Sequence, residues 1–421
     1  MVSEGGKIGV SATRYLTARE AAGELGVNLK TLYAYVSRGL IRSEAAGDKR
    51  RNRRYRAEDV RKLKERKEQR RDPTRATEGA LDWGTPVMES AITLITEGRM
   101  YYRGRDAVIL SEDHTLEQVA EFIWTGSMDE GEYGRLPELF RVSSGIIPEF
   151  PGIYGRGAGS PTETFGMALQ GAVEGDPAAY DLRSAAVTRT GARVLRLLVA
   201  VATGSEHSAD DTVAQALRRR WVPEDAGAAH LLDRALVLCA DHELNVSSFT
   251  ARCVASAGST PYAVVVAGLA ALGGVRHGGN TERVEAFLAE AAEGGDVSGV
   301  IASRLRRGEA VPGFGHQLYP EGDPRGEALL AAVTAAYPDS EASMLAHQIV
   351  EAADHLIGER PNVDFALVVL ARVLELPPGG ALTLFALGRT VGWIGHAIEQ
   401  YETGRIIRPR ARYVGAQPSD V

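Results

Sequence analysis

Two cysteines in 421 residues, Cys239 and Cys253, are too few for a disulfide framework, and no structural zinc spacing is present. Both fall in apolar helical text, as buried thiols of a reducing compartment do. Long apolar runs are scarce as well. The longest, "PYAVVVAGLAALGGV", runs into Arg276 and falls short of the roughly 20 residues that span a bilayer. The opening "MVSEGGKIGVSATRYL" lacks the apolar centre of a secretion signal, so the expectation is a cytoplasmic protein without a membrane segment. Heptads, low-complexity tracts and internal repeats are missing, which argues against coiled coils and solenoids. No two histidines stand at the i, i+4 spacing of a metal-binding helix pair, so no metal is expected.

What is present suits a globular chain of two or more domains, with 44% apolar and 24% charged residues. The net charge of −7 conceals an asymmetry. Residues 1–75 carry 20 Lys and Arg against 10 Asp and Glu, whereas the remainder carries 28 against 45. Parts of opposite sign imply separate tasks.

The basic part opens with "YLTAREAAGELGVNLKTLYAYVSRGLI". Thr17 can cap a short helix that turns Ala21, Ala22 and Leu25 inward, Gly26 can end it, and Asn28 can cap a second helix carrying Leu29, Leu32 and Tyr33. Two short helices around a glycine turn are a helix-turn-helix signal. A basic loop and a charged helix follow in "GDKRRNRRYRAEDVRKLKERKEQRRDP". Over about residues 14–67 the stretch resembles the winged helix-turn-helix heads of the MerR type. Arg50, Arg51, Arg53 and Arg54 are then placed to meet phosphates of double-stranded DNA, with Lys30, Thr31 and Tyr35 near base edges. Two other readings stay open: a solvated charged face, or a head that mediates protein contacts. The reading assigns residues 1–72 to this domain and 73–80, from Pro73 onward, to a linker.

From residue 81 the text is overwhelmingly helical, with apolar residues recurring at three and four in "LEQVAEFIWTG", "GARVLRLLVAVATG" and "EALLAAVTAAY". One stretch, "ITEGRMYYRGRDAVIL", suggests a short hairpin. Five polar clusters interrupt the helices: "ADHELNVSSFTAR" around His242, "GGVRHGGN" around His277, "GFGHQLYPEGDPR" around His316, "RPNVDFAL" around Asp364, and "ALGRTVGWIGHAIEQ" with "GRIIRPRARYVG". Taken singly, each histidine reads as a structural residue and Asp364 as a helix cap. Together they suggest a site. Glycines beside His277 and His316 let backbone approach a ligand and offer amide donors. Arg325, Arg389 and Arg408 present forks suited to carboxylates, which points to a small polyanion. Asp364 suits a base acting on a carbon acid, and neutral histidines suit the stabilisation of an enolate and a second carbonyl.

These motifs, with "MYYRGRDA" near the start, make residues 81–415 resemble the citrate synthase family. The resemblance implies an all-α fold with large and small helical domains, the small one spanning about 250–355, and a short tail at 416–421. It also implies a homodimer that closes over oxaloacetate and acetyl-CoA as cosubstrate, with no permanently bound cofactor. By motif, Asp364 would take the acetyl proton, His277 would hydrogen-bond the thioester oxygen, and His316 would polarise and protonate the ketone. His242, Arg325, Arg389 and Arg408 would hold oxaloacetate, Arg408 either from the same chain or from the other subunit. The segment with Gly313, Phe314, Gly315, Gln317 and Leu318 would lie near the CoA adenine. The family's "HGGANE" stands here as "HGGNTE" and its "GHRVYK" as "GHQLYP". Gln317 and Pro320 thus remove two positive charges near the nucleotide, and Asn280 replaces a small residue near the histidine. A change in acyl-CoA affinity or acyl choice is expected, and the alternatives are 2-methylcitrate formation from propionyl-CoA or a DNA-binding metabolite sensor.

Overall fold

The computed structural model describes residues 15–38, 40–45, 53–57, 59–60, 63, 88–128, 137–141, 160–278 and 280–416. Arg50, Arg51, the 73–80 linker and all but the first residue of the 416–421 tail lie outside them. The chain divides into two compact units, Met1–Glu89 and Ser90–Val421.

In the first unit Thr17 forms a capping box with Glu20 and starts α1 (Ala18–Leu25), and Gly26 stops it at φ 60°. Asn28 accepts the Thr31 backbone N–H and starts α2 (Leu29–Ser37). β1 (Tyr15–Leu16), β2 (Ser43–Ala45) and β3 (Arg53–Arg56) form an antiparallel sheet of order β1-β3-β2, the wing of the motif. Its small core joins Ala21, Leu25, Leu32, Ile41, Tyr55 and Val60. Among the apolar residues expected on α2, only Leu32 is buried; Leu29 and Tyr33 are 39% and 52% exposed.

The second unit begins with the hairpin expected from the sequence: β4 (Thr93–Thr96), β5 (Arg99–Tyr102) and β6 (Arg105–Asp106), paired in that order. Both connections place two residues at positive φ, Glu97 and Gly98 in one and Arg103 and Gly104 in the other, which suits the twist of a tight hairpin. Fourteen helices follow among the described residues: α3 (Ala107–Asp113), α4 (Leu116–Thr125), α5 (Pro161–Ala172), α6 (Ser184–Thr203), α7 (Val213–Trp221), α8 (Ala228–Leu238), α9 (Val246–Ser256), α10 (Pro261–Leu272), α11 (Asn280–Gly294), α12 (Val297–Arg306), α13 (Pro324–Ala336), α14 (Glu341–Ile357), α15 (Val363–Val373) and α16 (Gly380–Thr403).

The axis of this unit is α16, against which α4, α6, α8, α9, α10 and α15 all pack. By length and composition α16 could cross a membrane, yet its apolar window is entirely buried inside the protein. Burial on every side explains why the helix carries little amphipathic pattern. A side chain at Gly392 would sit 2.5 Å from the Ala240 carbonyl, so glycine there lets the 240–242 segment lie directly on α16. That approach sets up the site.

Candidate active site

The loop between α8 and α9 is tied down from three sides. Gly392 N–H donates to the Ala240 carbonyl (2.9 Å). Asp241, fully buried, accepts from Thr93 Oγ1 (2.6 Å) and from the Glu243 backbone N–H (3.1 Å). His396 of α16 stands 3.2 Å from its other oxygen, at ion-pairing distance though outside hydrogen-bond geometry. Between these anchors His242 projects its Nε2 to the Tyr319 hydroxyl (3.0 Å). Burial, then the positive Arg325 and Arg389, hold its pKa well below the usual range, so the ring is neutral. Tyr319, pushed up to about 12 chiefly by burial, keeps its phenolic proton.

His277 follows α10 in a turn closed by Gly278, whose N–H donates to the Leu272 carbonyl (2.8 Å). A Cβ on Gly278 would meet that carbonyl oxygen at 2.5 Å. His277 Nε2 lies 2.8 Å from Ser247 Oγ, and the Trp393 indole N–H donates to the same hydroxyl (3.2 Å). Burial and Arg389 lower its pKa to about 4. Three residues on, Asn280 Nδ2 donates to Asp364 Oδ2 (2.6 Å). Asp364 sits in the first turn of α15, and Asn362 caps that helix by accepting the Asp364 backbone N–H (3.0 Å). Burial raises the Asp364 pKa, while the Asn280 hydrogen bond lowers it.

The segment before His316 is fastened to the start of α15. Asn362 N–H donates to the Gly313 carbonyl (2.9 Å), Gly315 N–H donates to the Arg360 carbonyl (2.9 Å), and Phe314 bridges Pro361. The Phe314 ring is buried against Phe365 at 5.0 Å. His316 accepts the Leu318 backbone N–H at Nδ1 (3.1 Å), which assigns the proton of a neutral ring to Nε2. Its pKa is lowered to about 4 by burial and Arg325, and its ring stands 5.2 Å from that of His242. These contacts correct one expectation. The amides of Gly315, Gly278 and Leu318 are engaged within the protein rather than offered to a ligand. Phe314 serves as core, which leaves Gln317 as the exposed residue of the segment.

Arg325 is buried and gives Nε and Nη2 to Asp323 (2.9 and 2.8 Å). Asp323 also accepts the Val363 backbone N–H (3.1 Å), which links α13 to α15. Arg389 is 1% exposed, lies over the Phe385 ring at 4.7 Å, and donates Nε to the Cys239 carbonyl (2.8 Å). Its buried Nη2 has no hydrogen-bond partner among the described residues. A buried guanidinium nitrogen left unmatched by the protein is open to a ligand oxygen. Arg325 acts electrostatically on His242, His316 and Asp364, and Arg389 on His242, His277 and Asp364. Six of the seven expected polar side chains therefore share one cluster, with His242, Arg325 and Arg389 buried and His277, His316 and Asp364 half-buried. Arg408 lies elsewhere, exposed on the segment after α16.

Sequence reasoning assigned no role to Ser247, Tyr319, Asp323, Trp393 or His396. The text offered a signal for two of them: Tyr319 lies three residues after His316, and Asp323 stands in the same Asp-Pro-Arg turn as Arg325. In the first unit Lys30 is exposed and Arg53 and Arg54 stand out from the wing. Thr31 is occupied by the Asn28 cap (3.0 Å), and Tyr35 packs on the small core; Tyr33 is the exposed tyrosine of α2.

Comparisons with known proteins agree with this geometry. The family model "Citrate synthase, C-terminal domain" matches residues 80–410, and a helix-turn-helix domain model matches residues 15–68. The citrate synthase of Haloferax volcanii is 30% identical over 370 residues, covering 80% of this chain and 96% of that protein. The 2-methylcitrate synthase of Shewanella oneidensis is 29% identical over 380 residues, covering 80% and 95%. A citrate synthase of Thermoplasma acidophilum, solved as a ternary complex with carboxymethyl coenzyme A and oxaloacetate, shares the fold at TM-score 0.64 and 20% identity, covering 80% of this chain and 96% of its own. With a family model spanning most of its length and a cluster of neutral histidines, a carboxylate and buried arginines beneath it, the chain belongs to the citrate synthase family.

Proposed function

We propose that the second unit condenses acetyl-CoA with oxaloacetate and water to give citrate and free CoA. The observation that carries this reading is the pairing of a half-buried carboxylate of raised pKa, Asp364, with the turn that bears a neutral His277. Asp364 accepts a proton from the acetyl carbon next to the thioester. The Ser247 hydroxyl donates to Asn245 Oδ1 (2.8 Å) and also lies 2.8 Å from His277 Nε2. Turning that hydroxyl to His277 Nε2 places the ring proton on Nδ1, as a donor to the forming enolate oxygen. The enolate carbon attacks the ketone of oxaloacetate, and His316 Nε2–H hydrogen-bonds the ketone oxygen and then protonates it. His242, Arg325 and the open Nη2 of Arg389 bind the oxaloacetate oxygens, with Arg408 supplied from this chain or a second copy. Water then cleaves the thioester, and CoA leaves as the thiol. The test is thiol release by the purified chain with oxaloacetate and acetyl-, propionyl- or longer acyl-CoA. Faster turnover with propionyl-CoA would reassign the product to 2-methylcitrate, and no release with any thioester removes the reading.

The first unit supports a second, separable function: binding of duplex DNA. The exposed Lys30 and Tyr33 lie three apart on α2, and Arg53 and Arg54 stand on the neighbouring wing. Duplex binding that weakens steeply with salt supports it; binding unchanged when Arg50, Arg51, Arg53 and Arg54 are neutralised leaves the head as a protein-contact or assembly module.

A further inference from the structure

The turn that carries His277 also carries a side-chain donor to the base. Asn280 N–H donates to the His277 carbonyl (3.2 Å), and Thr281 donates from its backbone (3.2 Å) and its hydroxyl (2.9 Å) to the Gly278 carbonyl. The turn is therefore cross-braced, and Asn280 cannot shift without moving His277. Its amide nitrogen then reaches 84 residues along the chain to Asp364 Oδ2 at 2.6 Å.

We propose that Asn280 is a positioning residue: its amide grips Oδ2 of Asp364, leaves Oδ1 as the proton-accepting oxygen, and locks the base to the turn that presents His277. What Oδ1 accepts a proton from rests on the condensation reading above; the grip itself does not. Four helices pack on α15, and the groups they direct at Asp364 are few. Asn280 comes from α11, Arg325 and Asp323 from the start of α13, and Arg389 from α16; Asp354 of α14 is paired with Arg360 (3.7 Å). The Cys239 thiol, pushed up to about 12, brings no charge. Of these, Asn280 alone hydrogen-bonds the carboxylate in the described structure. A donor to the charged form favours that form, so Asn280 keeps a half-buried base ionised at lower pH than burial alone allows.

The direct experiment is a carbon-13 carboxyl NMR titration of the free protein, with the Asp364 signal identified by its loss in Asp364→Asn. Asn280→Ala is expected to raise the Asp364 midpoint by about one pH unit, and Asn280→Gln, which keeps the amide, to restore most of it. Asn280→Ser, with a shorter side chain, repeats the test if the alanine variant does not fold. The acid limb of kcat/KM should move with the midpoint, while KM for oxaloacetate stays unchanged. An unmoved midpoint, or an equal loss of kcat at every pH, overturns the proposal. A wild-type chain inactive on every thioester defeats the condensation reading instead, and the titration still decides the role of Asn280.

Discussion

His277 and His316 are suited to donate hydrogen bonds without carrying charge, because burial beside arginines lowers both pKa values to about 4. Charged rings would compete with Arg389 and Arg325; neutral rings cooperate with them. Replacing Asp364 by Asn is expected to lower kcat by roughly 10²- to 10⁴-fold, the usual worth of a positioned general base. His277→Ala should cost about 10²- to 10³-fold as a lost oxyanion donor, read in both cases from steady-state thiol release. Acid stability follows from the same residues. A ring held below its ordinary pKa is neutral in the fold and binds a proton more readily once unfolded. Its contribution is complete above about pH 6.5 and is lost as pH falls toward 4. Asp364, shifted upward, works in the opposite sense. The unfolding midpoint should therefore drop through that window, and His316→Gln should flatten the drop.

At the level of the element, the strand-like pairing of 313–315 with 360–362 ties the segment that carries His316 to the one that carries Asp364. Gly313 has φ 83°, and a Cβ there would lie 2.9 Å from the Phe365 Cβ. Gly313→Ala is expected to destabilise the unit by about 1–3 kcal/mol, measured by urea unfolding, and to depress turnover by moving both residues. Much of this level was legible beforehand: the caps at Thr17 and Asn28, the stop at Gly26, the hairpin at 93–106 and the helical periodicity all rest on local rules. Partnerships across the chain were not. Asp323 lies 40 residues from Val363, and Asn280 lies 84 from Asp364, so no spacing rule joins them. The direction of α2 was half legible, because a short helix on a small core leaves Leu29 and Tyr33 uncovered.

Across the whole molecule, two compact units differ in the sign of their charge, the first basic and the second acidic. The motifs named seven residues and the cluster gathers six of them, since each motif marks a place where polar residues break a helical text. Arg408 stands apart on an exposed segment. Separable tasks predict separable losses. Arg53→Ala with Arg54→Ala should weaken duplex binding and reduce its salt dependence by about two counterions, while thiol release stays at the wild-type rate. The most direct measurement of the central claim is a single progress curve: purified chain, oxaloacetate and acetyl-CoA, with free thiol and citrate quantified together, beside the same curve for Asp364→Asn. One citrate for each thiol in the wild type, with near-complete loss in the variant, is the predicted result. Thiol release that ignores oxaloacetate, or survives the loss of the Asp364 carboxylate, would contradict it.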